Sequence, residues 1–74
     1  MQNKKIKLSS LEKEIIRLIS KEMANKEIAV RLNYSQRMIE YHITNISKKF
    51  NVHTRVGIIV KAFKENILIK EESP

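Results

Sequence analysis

Cysteine and tryptophan are absent from the 74-residue sequence, and glycine and proline occur once each. Without cysteine the chain has no disulfide and no thiolate zinc site, and two histidines are too few for a closed structural metal site. So few helix breakers, in a chain rich in isoleucine, leucine, lysine and glutamate, favour helix throughout. The sequence therefore predicts an all-α domain without a structural metal.

Long apolar runs are also missing. No stretch approaches the roughly 20 apolar residues that a membrane span needs. The lysine-bearing start, MQNKKIKLSS, is not followed by the apolar segment of a signal peptide. A glycine-rich phosphate loop and a paired histidine–carboxylate spacing are missing as well, which argues against an enzyme and against a bound cofactor.

Positive charge is in large excess. Fifteen lysines and arginines face eight acidic residues, so the net charge is +7 and the pI is near 9.9. Such a balance favours an acidic partner, either nucleic acid or an anionic membrane surface. A basic domain that simply stays in solution is the alternative.

Hydrophobic periodicity divides the chain into four helices with short links. The first starts at a capping box, in which Ser9 and Glu12 satisfy each other's backbone N–H groups, and ends near Lys21. The second is NKEIAVRL, residues 25–32, and Asn33 after it tolerates the left-handed conformation that ends helices. The predicted organisation is a flexible basic arm at residues 1–7, a domain at 8–68 and a tail at 69–74.

The third helix, residues 35–50, begins at a good cap, Ser35, and has two distinct faces. One narrow arc is apolar and predicts the core side: Ile39, Ile43, Ile46 and Phe50. The opposite face is polar: Arg37, Tyr41, Thr44 and Lys48, with Glu40 and Asn45 on its flanks. This helix is thus predicted to be core on one side and free to contact a partner on the other.

The fourth helix, residues 54–67 after the cap Thr54, is apolar around more than half of its circumference. One arc contains Val56, Ile59, Val60, Phe63 and Ile67, and Ile58 and Ala62 widen it on the other side. A surface helix needs little more than about 100° of apolar surface. A second copy of the chain is the simplest cover for the excess; the alternative is that it covers the ends of the first and third helices.

The second helix, a three-residue link with Asn33 and the longer third helix form the order of a helix-turn-helix. In that motif the second helix of the pair lies in the major groove of DNA and the first crosses the backbone. The polar outer face at 35–50 suits that position.

Three segments carry a family resemblance: LSSLEKEIIRLIS, NKEIAVRL and YSQRMIEYHITNISKKFNVHTR. Over residues 8–68 the sequence resembles the DNA-binding domain of the LuxR/GerE type. The matching positions are Leu8, Glu12, Glu14, Asn25 to Ala29, His42, Asn45, Ile46, Lys49, Phe50, Val52 and Arg55. The resemblance implies a tetrahelical helix-turn-helix domain that binds promoter DNA as a dimer, with the last helix supplying much of the dimer contact. Such domains occur alone or behind a receiver or ligand-binding domain, so the chain is either a complete protein or the C-terminal domain of a larger regulator.

Four departures from the family pattern matter. Leu11 stands where arginine is usual and enlarges the core instead, and Glu22 replaces a helix-ending glycine. Ala24 replaces a Ser or Thr cap, which costs about 1 kcal/mol unless Asn25 takes over. Glu40 stands where a base-facing lysine is common, which predicts a different base preference.

The predicted DNA-binding residues are Lys26, Ser35, Arg37, Glu40, Tyr41, Thr44, Asn45, Lys48, Lys49 and Arg55, and the predicted dimer interface is Val56, Ile59, Val60, Phe63 and Ile67. Glu accepts a hydrogen bond from cytosine N4, whereas Lys48 and Lys49 suit phosphates. For Glu40 the alternative is a solvated charge paired with Arg37. For Arg55 the alternative to a phosphate contact is a structural bond inside the domain.

These observations predict a sequence-specific, homodimeric transcriptional regulator of the bacterial cytoplasm, associated with the nucleoid when bound. Its partner would be double-stranded DNA with a pseudo-palindromic site, with no membrane partner and with RNA polymerase as a candidate second partner. Two alternatives stay open. One is a protein-interaction module that uses the apolar face of helix 54–67 to bind or inhibit another regulator. The other is non-specific binding by charge alone.

Overall fold

The computed structural model describes residues 6–69, which form four α-helices and no strand. The helices are α1 (Ser10–Ser20), α2 (Asn25–Leu32), α3 (Gln36–Phe50) and α4 (Arg55–Lys64). The prediction of an all-α, four-helix domain is confirmed.

Helix α1 begins at the predicted capping box. The Glu12 N–H donates to Ser9 Oγ at 3.1 Å, and the Ser9 N–H donates back to Glu12 Oε1 at 2.8 Å. Two of the unpaired N–H groups of the helix start are thereby satisfied. This local signal sets the start of α1 at the residue that the sequence indicates.

The links leave their helices through left-handed residues. Positive φ angles near 60° occur at Glu22, Asn33, Asn51 and Asn66, and the described part of the chain has no other non-glycine residue with positive φ. Asparagine tolerates this conformation, whereas for most L-residues it costs about 1–2 kcal/mol. The link between α1 and α2, the first corner of the fold, thus turns at Glu22, which adopts the backbone conformation that glycine favours.

The core lies between the inner faces of all four helices, and most of its residues are isoleucine. Its buried members are Ile15, Ile16, Leu18, Ile19, Ile28, Ala29, Ile39, Ile46, Phe50, Ile58 and Ala62. Three of the four apolar residues predicted for the inner face of α3 are buried, and the fourth, Ile43, is half-buried against the same cluster. The core thereby fixes which side of α3 faces outward.

The wide apolar surface of α4 has one buried side and one exposed side. Ile58 and Ala62 are fully buried in the core. On the other side Val56 is 71%, Val60 48% and Phe63 42% exposed. The domain's own core therefore covers one apolar side of α4 and leaves the other in solvent.

The end of α4 differs from the prediction. The helix stops at Lys64 rather than at residue 67, and Asn66 turns the chain through a left-handed conformation. The Ile67 N–H then donates to the Ala62 carbonyl at 2.8 Å, and Ile67 packs half-buried against the core. Ile67 thus lies in the turn beyond α4, and its placement within the exposed side of that helix was wrong.

The single glycine, Gly57, lies in the first turn of α4, close to the preceding link. A Cβ there would lie 3.0 Å from the Cβ of Val52 and 3.2 Å from Thr54 Oγ1. Thr54 Oγ1 also accepts the Gly57 N–H at 2.8 Å, which is the predicted helix cap. The glycine lets the link pack directly on the start of α4.

The N-terminal boundary also shifts. Ile6 is half-buried against the core, and the carbonyl of Lys7 accepts a hydrogen bond from Lys49 Nζ at 3.0 Å. The last two residues of the predicted arm therefore belong to the folded domain. Residues 1–5 and 70–74, with most of the predicted arm and tail, lie outside the described residues.

Candidate nucleic-acid interface

Helices α2 and α3 are joined by a tight link, residues 33–35, that is held by hydrogen bonds. Asn33 ends α2 in the left-handed conformation, and the Tyr34 N–H donates to the Ala29 carbonyl at 2.8 Å. Ser35 Oγ then accepts the Met38 N–H at 3.1 Å and caps α3. The core holds the inner faces of both helices. Together with the link it sets a fixed angle between them, as a helix-turn-helix requires.

The outer face of α3 brings most predicted DNA-contacting residues together. Arg37, Glu40, Tyr41, Thr44 and Lys48 are all exposed along it, and Asn45 is half-buried. Ser35 is also exposed beside this face; its oxygen serves the cap, and its hydroxyl hydrogen remains available to a phosphate. The face is long and polar and is backed by the fully buried Ile39 and Ile46.

Glu40 pairs with Gln36 and not with Arg37, the partner considered in its alternative role. Gln36 Nε2 donates to Glu40 Oε2 at 3.0 Å, one helical turn away, and the described residues show no pairing of Glu40 with Arg37. Gln36 is exposed and was not among the predicted site residues. Its i,i+4 spacing from an acid on an outward face was the available signal.

An aromatic cluster supports Tyr41. The His42 ring lies edge-on to Tyr41, with centroids 5.5 Å apart, and edge-on to Tyr34 of the link, with centroids 6.2 Å apart. Edge-to-face pairs at such distances are favourable. His42, half-buried, therefore connects the link to the Tyr41 ring on the outer face of α3.

Lys48 and Lys49 occupy different environments although they are adjacent. Lys48 is exposed on the outer face of α3. Lys49 Nζ donates to Glu12 Oε1 at 2.8 Å, to Glu12 Oε2 at 3.0 Å and to the Lys7 carbonyl at 3.0 Å. An ammonium group has three hydrogens, so these bonds occupy all of its donors. The structure thus ties Lys49 to α1 and leaves none of its ammonium hydrogens for the predicted phosphate contact.

The carboxyl group of Glu12 is buried at this junction. Burial by itself raises the pKa of Glu12, but hydrogen bonds from Lys49 and from the Ser9 backbone, with the charge of Lys49, outweigh it and hold the pKa below the ordinary value of 4.5. Glu12 is therefore ionised at neutral pH. It joins the start of α1 to the end of α3.

Arg55 and Lys26 lie at two helix starts. Arg55 Nη2 donates to the Met23 carbonyl at 2.8 Å, which is the internal bond considered as its alternative role. Four further guanidinium N–H groups remain for an anion. Lys26 is exposed in the first turn of α2, where the helix dipole also favours an anion.

The start of α2 lacks a side-chain cap. The cap position is Ala24, whose N–H donates to Glu27 Oε1 at 3.2 Å; alanine offers no acceptor in return. Asn25 does not replace the missing cap, because its Oδ1 is buried and has no hydrogen-bond partner among the described residues. The condition under which Asn25 would offset the loss of a side-chain cap at Ala24 is therefore not met.

Four of the five predicted dimer-interface residues share one surface. Val56, Ile59 and Val60 line a shallow, mainly apolar groove with Ile19 and Glu22 of the first corner. Phe63 continues the same side of α4 beside Ile59. This surface lies on a different helix from the outer face of α3, so the two surfaces are separate.

The described residues contain no helix long and apolar enough to cross a membrane. They also contain no cluster of three or more His, Cys, Asp or Glu residues able to hold a metal ion.

A four-helix fold whose second and third helices form a helix-turn-helix defines a class of DNA-binding domains. The family described as bacterial regulatory proteins, luxR family (GerE), matches residues 7–62. The chain belongs to this family. It is a DNA-binding domain of the transcriptional-regulator type and not an enzyme.

Similar proteins are regulators. The oxygen regulatory protein NreC of Staphylococcus carnosus is 39% identical over 61 residues, which are 82% of this chain and 28% of that protein. A nitrate/nitrite response regulator protein homolog of Haemophilus influenzae is 37% identical over 59 residues, 80% of this chain and 28% of that protein. The chain thus spans little more than a quarter of the length of these relatives.

Solved structures agree with the fold. The transcription factor GerE superposes with a TM-score of 0.80 at 27% identity, over 84% of this chain and 92% of that one. The response regulator ChrA superposes with a TM-score of 0.82 at 24% identity, over 92% of this chain and 33% of that one. The recognised family resemblance is confirmed.

Proposed function

We propose that the chain is a sequence-specific regulator that binds a pseudo-palindromic promoter site as a homodimer, with α3 of each copy in the major groove. The observation that supports this most is the outer face of α3, which is exposed along the helix while Ile39 and Ile46 behind it are fully buried. A net charge of +7 favours approach to DNA. Such a protein would act in the bacterial cytoplasm.

The exposed residues of α3 divide into two proposed roles. Tyr41 and Thr44 on the outer face and Glu40 on its flank would contact base edges, with Arg37 and Asn45 beside them. Lys48 would contact a phosphate near the end of α3, and Lys26 and Ser35 would contact phosphates near the starts of α2 and α3. The unused donors of Arg55 would add a phosphate contact.

The exposed side of α4 would form the dimer interface. Val56, Val60 and Phe63 present apolar surface that this chain's core does not cover, and Ile59 continues it into the groove. Contact across a twofold axis would pair this side with its own copy. The two α3 helices would then read half-sites about 10 base pairs apart, or at another spacing that α4 sets.

Selection from random duplex DNA at defined salt tests the function. We expect the wild-type chain to enrich one consensus with two related half-sites. Replacing Tyr41 and Thr44 with alanine should lower the preference for that consensus while retaining charge-driven binding. Enrichment of no sequence by the wild-type chain would refute sequence-specific binding.

The two adjacent lysines offer a matched pair for the phosphate contact. Lys48→Met should weaken binding to all sequences and reduce the slope of log affinity against log salt by about one. Lys49→Met should change that slope less, because the Lys49 ammonium is already paired with Glu12. Equal effects of the two substitutions would contradict the different roles proposed for them.

The alternative is a protein-interaction module that uses α4 to bind or inhibit another regulator. The exposed apolar residues Val56 and Phe63 favour it, because they fit any apolar partner. Phe63→Glu separates the two proposals. A homodimer should become monomeric by light scattering and lose DNA affinity. A chain that is already monomeric as wild type and enriches no DNA sequence would support the interaction module. RNA polymerase remains a proposed second partner.

A further inference from the structure

We propose that Gln36 and Glu40 act as one base-reading unit that selects the exocyclic amino groups of adenine and cytosine on neighbouring base pairs. The inference rests on the proposed entry of α3 into the major groove and assigns a role to Gln36, which lies in the first turn of that helix. N-terminal residues of a recognition helix are the ones that contact base edges in helix-turn-helix proteins.

The chemistry of the pair fixes the orientation of the Gln36 amide. An ionised carboxylate only accepts hydrogen bonds, so the amide must turn its NH₂ group toward Glu40, as the 3.0 Å contact shows. The reverse orientation would place the amide oxygen against a carboxylate. An isolated glutamine can present either its NH₂ group or its oxygen to a partner. Beside Glu40 only the orientation with the NH₂ group toward the carboxylate is favourable.

The fixed amide presents a defined pattern outward. Its oxygen, Oε1, and one amide hydrogen remain outside the contact with Glu40. Glu40 keeps a second oxygen, Oε1, without a hydrogen-bond partner among residues 6–69. The unit therefore offers two acceptors, one on each residue, plus one donor beside the Gln36 acceptor.

The major groove supplies only two kinds of base donor, adenine N6 and cytosine N4. Guanine O6 and thymine O4 would face the two acceptors with oxygen, which is unfavourable. The Gln36 amide, with an acceptor beside a donor, matches adenine N6 and N7, and the Glu40 carboxylate matches an amino group alone. We therefore assign adenine to Gln36, and cytosine or adenine to Glu40.

The spacing of the two residues fits this assignment. Four residues advance a helix by about 6 Å, at about 1.5 Å per residue. Base pairs advance by about 3.4 Å, so the two side chains lie one to two base pairs apart. Both residues are exposed and on the same side of α3. One Gln36–Glu40 unit thus reaches two neighbouring base pairs.

Selection from random duplexes followed by affinity measurements on single-base variants tests the unit. The variants are Gln36→Leu, Glu40→Gln and the double replacement. Glu14→Gln is the matched control for Glu40→Gln, because it removes one half-buried, paired acid from α1 and changes the net charge by the same amount. Thermal unfolding of every variant checks that the domain stays folded.

The expected signature is a loss of preference without a uniform loss of binding. Gln36→Leu should reduce the discrimination for adenine about tenfold or more, as the loss of a bidentate base contact does. Glu40→Gln should make the same adenine position degenerate although Gln36 is unchanged, because the amide orientation is no longer fixed. The double replacement should cost less than the sum of the two single ones.

Three outcomes overturn the proposal. An unchanged consensus in Gln36→Leu would show that Gln36 reads no base. Equal weakening on all sequences would show a backbone contact instead. Independent, additive effects would show two separate residues rather than a unit. In each case the wild-type chain still enriches a consensus, whereas a wild-type chain that enriches none refutes the proposed function itself.

Discussion

Replacement of Lys49 by methionine tests the junction between α1 and α3. Methionine keeps most of the length and apolar surface of the side chain but removes the ammonium group. The substitution breaks the bonds to both Glu12 oxygens and to the Lys7 carbonyl. The Glu12 carboxylate then stays buried with the hydrogen bond from the Ser9 N–H but without a neighbouring positive charge.

The expected loss of stability is moderate. Hydrogen bonds to charged groups contribute about 1.5–3 kcal/mol, and a surface ion pair contributes about 0–1 kcal/mol. The Glu12 side chain is 7% exposed and that of Lys49 is 41% exposed, so the pair lies between these cases. We expect a loss of about 1.5 kcal/mol in the free energy of unfolding. For a domain of this size that lowers Tm by roughly 6–12 °C.

The loss should depend on pH in a defined direction. The folded-state pKa of Glu12 lies below its ordinary value of 4.5, so the carboxylate contributes stability above that value and loses it as the pH falls through the folded-state pKa. In Lys49→Met only the bonds with Ser9 still oppose the effect of burial, so the pKa of Glu12 should be higher than in the wild-type chain. The difference in stability between the two chains should therefore be full at pH 7 and shrink as the pH falls, first through the Glu12 pKa of the variant and then through the lower Glu12 pKa of the wild-type chain.

Thermal unfolding followed by circular dichroism, from pH 7 down to acid, measures the effect. Lys48→Met is the matched control, since it removes the same group one residue away from an exposed position. The control should unfold within about 2–4 °C of the wild-type chain, because surface substitutions usually stay within about 0.5 kcal/mol. Equal Tm values for the two lysine variants, or a difference that persists unchanged into acid, would refute the reasoning.

Three further substitutions probe the helix ends by the same unfolding measurement. Glu22→Gly should raise the free energy of unfolding by about 1 kcal/mol, because the residue has a φ of 63° and glycine adopts that conformation without strain; a lower Tm would contradict this. Ala24→Ser should also stabilise by about 1 kcal/mol by capping α2, and no gain would show that the Glu27 carboxylate already suffices. Gly57→Ala should destabilise by about 1–3 kcal/mol, because the new methyl group would lie 3.0 Å from the Cβ of Val52; an unchanged Tm would show that the link moves aside freely.

The four helices and the inner face of α3 followed from the sequence because they depend on local signals. The Ser9–Glu12 capping box spans three residues, and the isoleucines of α3 repeat at helical spacing. The asparagines that end α2 and α3 are likewise signals within a single segment. These features depend on the residues of a single segment.

Features that depend on packing between segments could not be predicted in the same way. Lys49 and Glu12 are 37 residues apart, and only the folded arrangement shows that the ammonium points at α1 rather than outward with Lys48. In α4 both sides are apolar, so periodicity alone did not show that Ile58 lies in the core and Val56 in solvent. Gln36 and Glu40 are only four residues apart, so their contact could have been predicted from that spacing.

The connection from Lys49 to Glu12 also has a consequence for the rates of folding and unfolding. Most contacts in a small helical domain are local and form fast. This bridge instead closes a loop of 37 residues, so we expect it to form after the helices have docked. Interactions that form late slow unfolding while leaving the folding rate almost unchanged. Loss of the bridge should thus shorten the lifetime of each folded molecule, and the chain should still refold as quickly as before.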